Sequence, residues 1–454
     1  MKKLRIGLVT IVLVVVALAG TAQSKFSIDQ VLSAPFPTEL TASPAGRRVA
    51  WFFNDQGRRN VWGAEAPHFT ARQLTNFVAD DGEALSELTW SPDGKTIVFV
   101  RGEGKNSAGE FPNPTNNPSG TEQAIWAVGF TGGLPRKLGN GASPAISSTG
   151  QVAFTSGGQI WSAPLSGSAA AQPLFHARGR NGGAAWSPDD RSLVFVSDRE
   201  DHSFIALYRP VSNSIRYIAP SVDRDHSPRW SLDGKQIAYV RQSGRGGEAP
   251  LPGADNVPNP WSIWVAEVDT LAARQVWAST NTPEGSIPRM AGEDILSWGA
   301  DGRLVFASEQ DGWLHLYSLP SSGGAATLLT PGNCEIEQVA YSFDRRALVY
   351  TSNCGDLNRR HLWQVAVSGG TPGALTRGET IEWSPTLLVD GSVAFLRSDA
   401  RLPGSPYVMN PSGADARNIA AGTIPKDFPA GSLVAPQQVV FKSADGWAVS
   451  GGRN

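Results

Sequence analysis

The chain has 454 residues and a formal net charge of −2, from 39 basic and 41 acidic side chains. That balance leaves no basic footprint for nucleic acid and no acidic tail, while the length allows a large core. Gly 49 and Pro 32 fit a chain with many turns.

The N-terminus reads as an export signal: Lys2, Lys3 and Arg5, then an apolar run from Ile6 to Ala19. Ala17-Leu18-Ala19 and Gly20-Thr21-Ala22 both fit a cleavage site, and the run is short for a stable membrane span. Residues 1–22 are therefore expected to be removed. The mature protein is expected in the periplasm or outside the cell, with no membrane contact. Residues 23–37, with Pro35 and Pro37, read as a linker.

From residue 38 to residue 421 one unit repeats: a strand ending in Trp, a turn, and an apolar strand. It is fullest at Trp90-Ser91-Pro92-Asp93-Gly94, Trp186-Ser187-Pro188-Asp189-Asp190, Trp230-Ser231-Leu232-Asp233-Gly234 and Trp298-Gly299-Ala300-Asp301-Gly302. Weaker copies are Ser43-Pro44-Ala45-Gly46, Ser147-Ser148-Thr149-Gly150, Tyr341-Ser342-Phe343-Asp344 and Trp383-Ser384-Pro385. Pro presets φ, Asp bonds back to the backbone, and Gly supplies positive φ, so each copy joins two antiparallel strands. The strand that follows, as in Ile97-Val98-Phe99-Val100 or Leu193-Val194-Phe195-Val196, lacks alternation and should be buried on both faces. A third strand carries an apolar-aromatic pair, as in Ile125-Trp126 and Ile263-Trp264. A shorter, more polar fourth strand closes the unit and blunts the edge. Four strands per repeat of about 40–50 residues make an all-β, single β-propeller of eight four-stranded blades, with seven as the alternative. Gly102 to Thr121 and Ser243 to Pro260 read as loops that lengthen two blades between their second and third strands, and no helix is expected after the signal.

Cys334 and Cys354 flank the turn near Asp344 at matched distances and should face each other across the open end of one hairpin. After export a disulfide is expected; two buried thiols are the alternative. The candidate binding residues cluster in the fourth and fifth repeats. They are Arg178 and Arg180; Asp198, Arg199, Glu200, Asp201 and His202; and Asp223, Arg224, Asp225 and His226. All fall at the open end of their hairpins, on the face away from the Trp-Ser-Pro turns. Surface loops of this kind commonly bind. The functional reading is capture of a peptide terminus or carboxylate; the competing one is ion pairing between blades. Asp201-His202 and Asp225-His226 lack a third ligand at defined spacing, so no metal and no cofactor is assigned.

The Trp-Ser-Pro-Asp-Gly unit followed by Ser197-Asp198-Arg199 resembles the TolB-type propeller repeat. The stretch from Pro436 to Trp447 (Pro-Gln-Gln-Val-Val-Phe-Lys-Ser-Ala-Asp-Gly-Trp) resembles the start of the hydrolase domain in the prolyl oligopeptidase family, in its acylaminoacyl peptidase and dipeptidyl peptidase branch. The resemblance implies an N-terminal propeller that caps an α/β-hydrolase domain and screens its substrate. Residues 422–454 would then be a linker and the first residues of that domain. No Gly-x-Ser-x-Gly nucleophile elbow occurs in the sequence, so no catalytic residue is assigned and the chain as given is expected to be inactive. The partner would be the α/β-hydrolase domain. The other reading is a non-enzymatic, TolB-like periplasmic propeller that binds a protein or peptide. The tail itself reads as a hairpin, Val439-Val440-Phe441 and Trp447-Ala448-Val449 about Asp445-Gly446, exposed and open to proteases without a sheet to bury it.

Overall fold

The repeated turn is held by its own side chains. In the computed structural model, Ser91 Oγ donates to Asp93 Oδ1 (2.6 Å) and accepts from the Thr96 amide (2.9 Å). The amide of Lys95 donates to Asp93 Oδ1 (3.0 Å), and that of Gly94, at φ +66°, to the Ser91 carbonyl (2.8 Å). The same Ser-to-Asp bond recurs at Ser187, Ser231 and Ser342. Each Ser hydroxyl holds its Asp below the usual carboxylate range, with the following backbone amide helping. Asp190 stands where other copies carry Gly and takes φ +57° itself. A short side chain that bonds locally tolerates that conformation. Its carboxylate accepts from the Ser148 and Thr149 amides (3.0 and 2.9 Å), tying the third blade's turn to the fourth's.

The structure describes residues 26–453 apart from 107–108, 112–117, 119, 245–256 and 291–293. Eight four-stranded antiparallel units follow one another, at residues 36–73, 85–140, 142–173, 180–217, 224–278, 296–328, 336–374 and 381–418. We number them blades 1 to 8. Blades 4 and 5 are joined by one parallel bridge, Ser203 to Arg224. The first strands of seven of the eight neighbouring blade pairs touch one another, so they ring the axis and the fourth strands lie outside. Each second strand is buried on both faces, as Ile97 to Val100 illustrate, because a blade packs on either side of it.

The core is correspondingly divided into eight apolar clusters, one at every blade junction. The eighth cluster closes the ring: Val49, Trp51 and Phe53 of blade 1 pack against Ala394, Leu396 and Val408 of blade 8. No strand is exchanged there. Side-chain packing, the ion pair Arg47–Asp390 (3.1 Å) and the bond from Ala71 N to the Ile419 carbonyl (3.2 Å) join the ends. The chain then makes two short 3₁₀ turns, Ala421–Thr423 and Ala430–Ser432, and a hairpin of Gln437–Lys442 with Ala448–Arg453. Ser443 bonds Asp445 in the hairpin turn, the same device as in the blades.

Three expectations from sequence differ from the structure. Trp383-Ser384-Pro385 is not a turn: it lies inside strand Ile381–Leu387, where Ser384 (φ +48°) forms a bulge. The blade 8 turn is Leu388 to Gly391, with Asp390 accepting from Ser392 N (3.1 Å). A short helix, Ile28–Val31, precedes the first blade, because Ser27 and Gln30 form a reciprocal capping box. The first strand begins at Phe36, so residues 36 and 37 belong to the propeller; Pro37 is at the edge of its blade, where no ladder donor is needed. The expected signal, residues 1–22, lies outside the described residues.

Candidate functional site

Each blade has one end where the second-to-third strand loops and the connections between blades emerge. The two cysteines meet at this end of blade 7, bonded with a Cα–Cα distance of 5.0 Å. Gly332 has to be glycine there, since a Cβ would lie 2.9 Å from Cys334 Sγ.

The candidate residues of blades 4 and 5 come together at the same end, in three different roles. Asp225 is fully buried and binds Arg241 through two hydrogen bonds, to Nε (2.6 Å) and Nη2 (2.8 Å). Arg241 also donates to the Ala219 carbonyl (2.7 Å) and lies over the Trp264 ring at 4.4 Å. Asp225 is thus a buried cross-strand partner within blade 5 rather than a surface residue, and it orients Arg241 toward the Ala219 carbonyl in the connection from blade 4. The equivalent in blade 8 is Glu382, equally buried, which accepts from Arg397, His361 and two threonines. Sequence reasoning missed Arg241 and Arg397; the signal was an Arg one residue before the end of, or near the end of, an otherwise apolar second strand.

A second group shapes the loop. Asp198 caps the Glu200 amide (2.9 Å), His202 Nδ1 contacts Asp201 (2.5 Å), and Arg224 binds the Glu200 carbonyl. Arg199 donates to Tyr217 Oη (3.1 Å) and faces the Phe204 and Tyr217 rings. Asp223 is held by Ser221 (3.1 Å). His226 Nε2 bonds Gln242 and Nδ1 bonds Ser227, both at 2.9 Å, and burial pushes the imidazole below its ordinary pKa. The third group, Arg178 and Arg180, is exposed. No group of three metal-ligating side chains exists among the described residues.

Two of the clefts on this face lie nearest the hairpin and the lengthened loop. One, of 980 Å³, lies between the loops of blades 7 and 8 and the C-terminal hairpin; Ile381, Leu402, Val434, Arg359 and Arg401 line it. The other, of 760 Å³, lies between the lengthened loop of blade 2 and the first strands of blades 3 and 4, with Phe111, Lys105, Ser143 and Gly183 on its wall. The hairpin therefore rests on the same face as the candidate residues, at the far side of the ring. Val440 (62%), Phe441 (57%) and Trp447 (75%) of the hairpin are largely exposed.

Residues 261–401 match the family model described as the dipeptidyl peptidase IV (DPP IV) N-terminal region. Among solved structures, Porphyromonas gingivalis dipeptidyl peptidase 4 is similar with a TM-score of 0.63 and 12% identity, over 90% of this chain and 63% of that one. A puromycin-hydrolyzing peptidase of Mycobacterium tuberculosis is similar with a TM-score of 0.57 and 14% identity, over 94% and 60%. A puromycin hydrolase matches with a TM-score of 0.57 and 17% identity, over 93% and 59%. These structures share the fold, and the chain spans about three fifths of their length. The propeller fold is shared with these peptidases, and residues 261–401 are similar to the dipeptidyl peptidase IV N-terminal region.

Proposed function

We propose that this propeller of the prolyl oligopeptidase and dipeptidyl peptidase IV type serves as the substrate-screening cap of an exported serine peptidase, with an α/β-hydrolase domain docked on the face that carries the C-terminal hairpin. The observation that carries this reading is the hairpin itself. Two strands with Val440, Phe441 and Trp447 exposed make a marginal unit alone, and a sheet continued by further strands would bury them. Its place after the eighth blade, on the face of the clefts, supports docking there. The nucleophile, base and oxyanion hole would be supplied by that domain, because no Gly-x-Ser-x-Gly occurs in these 454 residues. Export belongs to the same proposal and rests on the N-terminal charge and apolar pattern.

The test is the coding sequence downstream of codon 454. A Gly-x-Ser-x-Gly frame there, and peptidase activity of the extended chain blocked by a serine-directed inhibitor, supports the reading. Unrelated sequence, with the propeller instead retaining a protein partner, favours a non-enzymatic binding module.

A further inference from the structure

The disulfide sits at the root of a loop rather than inside a blade. Strands Ile336–Tyr341 and Ala347–Ser352 of blade 7 pair as far as Ile336 with Ser352. Cys334 lies two residues before that last pair and Cys354 two residues after it, so the bond continues the hairpin past the end of its ladder. From there the chain runs through a loop, residues 353–360, to strand His361–Ala366. Asn358 and Arg359 of this loop, together with Glu379, form part of the wall of the 980 Å³ cleft.

The far end of the loop is well held: Arg360 binds Glu337 (2.6 Å), and its carbonyl accepts from Glu382 N (3.0 Å). The middle is held mostly to itself, by Asp356 N to the Asn353 carbonyl (3.1 Å), Asn358 N to Asp356 Oδ1 (2.9 Å) and Arg359 to Asp356 Oδ2 (3.0 Å). Its one large apolar side chain, Leu357, is 70% exposed. Arg359 also reaches Glu379 (3.0 Å), but that carboxylate is 84% exposed, and solvated pairs hold weakly. At the root, Glu335 N donates to Asn353 Oδ1 (2.8 Å), and beside this one hydrogen bond stands the disulfide. The covalent bond is therefore the main restraint on the root of the loop, and through it on that wall of the cleft.

The two cysteines are not equally covered. Cys334 is 4% exposed and Cys354 half-buried. Gly332, at φ +140°, passes over the bond on the Cys334 side: a Cβ there would lie 2.9 Å from Cys334 Sγ and 3.5 Å from Cys354 Sγ. Access decides which sulfur a thiolate attacks.

We propose that this disulfide is a redox latch on the cleft: a dithiol reductant opens it at Cys354, and opening frees residues 353–359 and the wall they carry. One thiolate of the reductant bonds to Cys354 Sγ while the bond to Cys334 breaks, its electron pair going to Cys334, which takes up a proton. The reductant's second thiolate then attacks its own sulfur in the mixed disulfide, closing the reductant to a disulfide and releasing Cys354 as a thiol. The protein gains two electrons and two protons, and the dithiol loses them. The latch belongs to this chain alone, whichever domain or partner the propeller serves.

The test uses the whole chain with its disulfide closed. In excess 2-mercaptoethanol, which has no second thiol, acid quenching and peptide mass mapping read where the mixed disulfide forms. Cys354 is expected to carry it over Cys334 by about tenfold or more. An adduct mainly on Cys334, equal adducts, or none overturns the proposal. Dithiothreitol then reduces the bond fully, and hydrogen exchange compares the two forms at labelling times too short for the second strands of the blades to exchange in either. Residues 355–359 are expected to exchange about tenfold faster after reduction, with the circular dichroism of the fold retained. Equal exchange overturns the latch, and so does loss of the folded signal, since the opening would not then be local. Cys334→Ala with Cys354→Ala should exchange as the reduced chain does and ignore dithiothreitol; a response in that variant places the effect elsewhere and also overturns the latch.

Discussion

Asp225→Ala separates the two roles that the sequence left open for that residue. The carboxylate is fully buried, and the only cation bonded to it, Arg241, has a side chain 10% exposed. Removing one partner of such a pair leaves Arg241 with the Ala219 carbonyl (2.7 Å) and the more distant Asp223 carboxylate (4.0 Å), and costs about 3–5 kcal/mol. Roughly 390 ordered residues at about 2.1 cal/mol/K each give an unfolding entropy near 0.8 kcal/mol/K, so the melting temperature should fall by about 4–6 °C. Replacing both partners with apolar residues, Asp225→Leu with Arg241→Met, should recover most of that loss, since the stranded charge is gone. Scanning calorimetry of the two variants beside the wild type is the assay. A fall under about 1 °C for Asp225→Ala, or a double variant as unstable as the sum of the singles, would refute the structural role of the buried pair and return Asp225 to the ligand-binding candidates.

Acid should act through the turns. The Ser hydroxyls lower the pKa of Asp93, Asp189 and Asp233 in the folded state relative to the ordinary 3.8, so their contribution is present above that value and lost as pH falls through the lower folded one. Melting temperature should therefore drop below about pH 4, and less steeply in Asp93→Asn; an equal slope in the variant counts against it. The Cys334–Cys354 bond closes a loop of separation 20, so reducing it, or Cys334→Ala with Cys354→Ala, should cost about 3 kcal/mol in denaturant titration, with no change meaning that the bond adds nothing. Phe441→Ser with Trp447→Ser should raise solubility by light scattering and leave the melting temperature unchanged, unless those rings are packed on the propeller. The purified 454-residue chain should not turn over dipeptide or acyl-peptide esters; inhibitor-sensitive turnover would contradict that.

The blade architecture was legible because its signals are local. A Ser two residues before an Asp, an unbroken apolar run, and an apolar-aromatic pair each determine their own piece of backbone. Eight repetitions then leave one closed solution. Trp383-Ser384-Pro385 misled for a physical reason: a bulge and a turn both want positive φ, and Ser384 supplies it mid-strand, while the real turn at Asp390-Gly391 lacks the Trp. The candidate site was less legible. Asp225 reads as a surface acid because its neighbours Arg224 and His226 are polar, yet alternation along the strand turns it inward to Arg241, sixteen positions away. Nor could spacing show that Glu39 and Glu87 cap the next blade's bulge, since those bonds span 49 and 56 residues.

The most direct measurement of the central claim is hydrogen exchange over residues 437–449 in the 454-residue chain and in the chain extended through its downstream coding sequence. The account predicts that the extension slows exchange of the Val439 to Phe441 amides by orders of magnitude and buries Trp447, while the blades exchange alike in both. Exchange in the hairpin that is unchanged by the extension, or a hairpin already protected in the shorter chain, would contradict a hydrolase domain docked on this face.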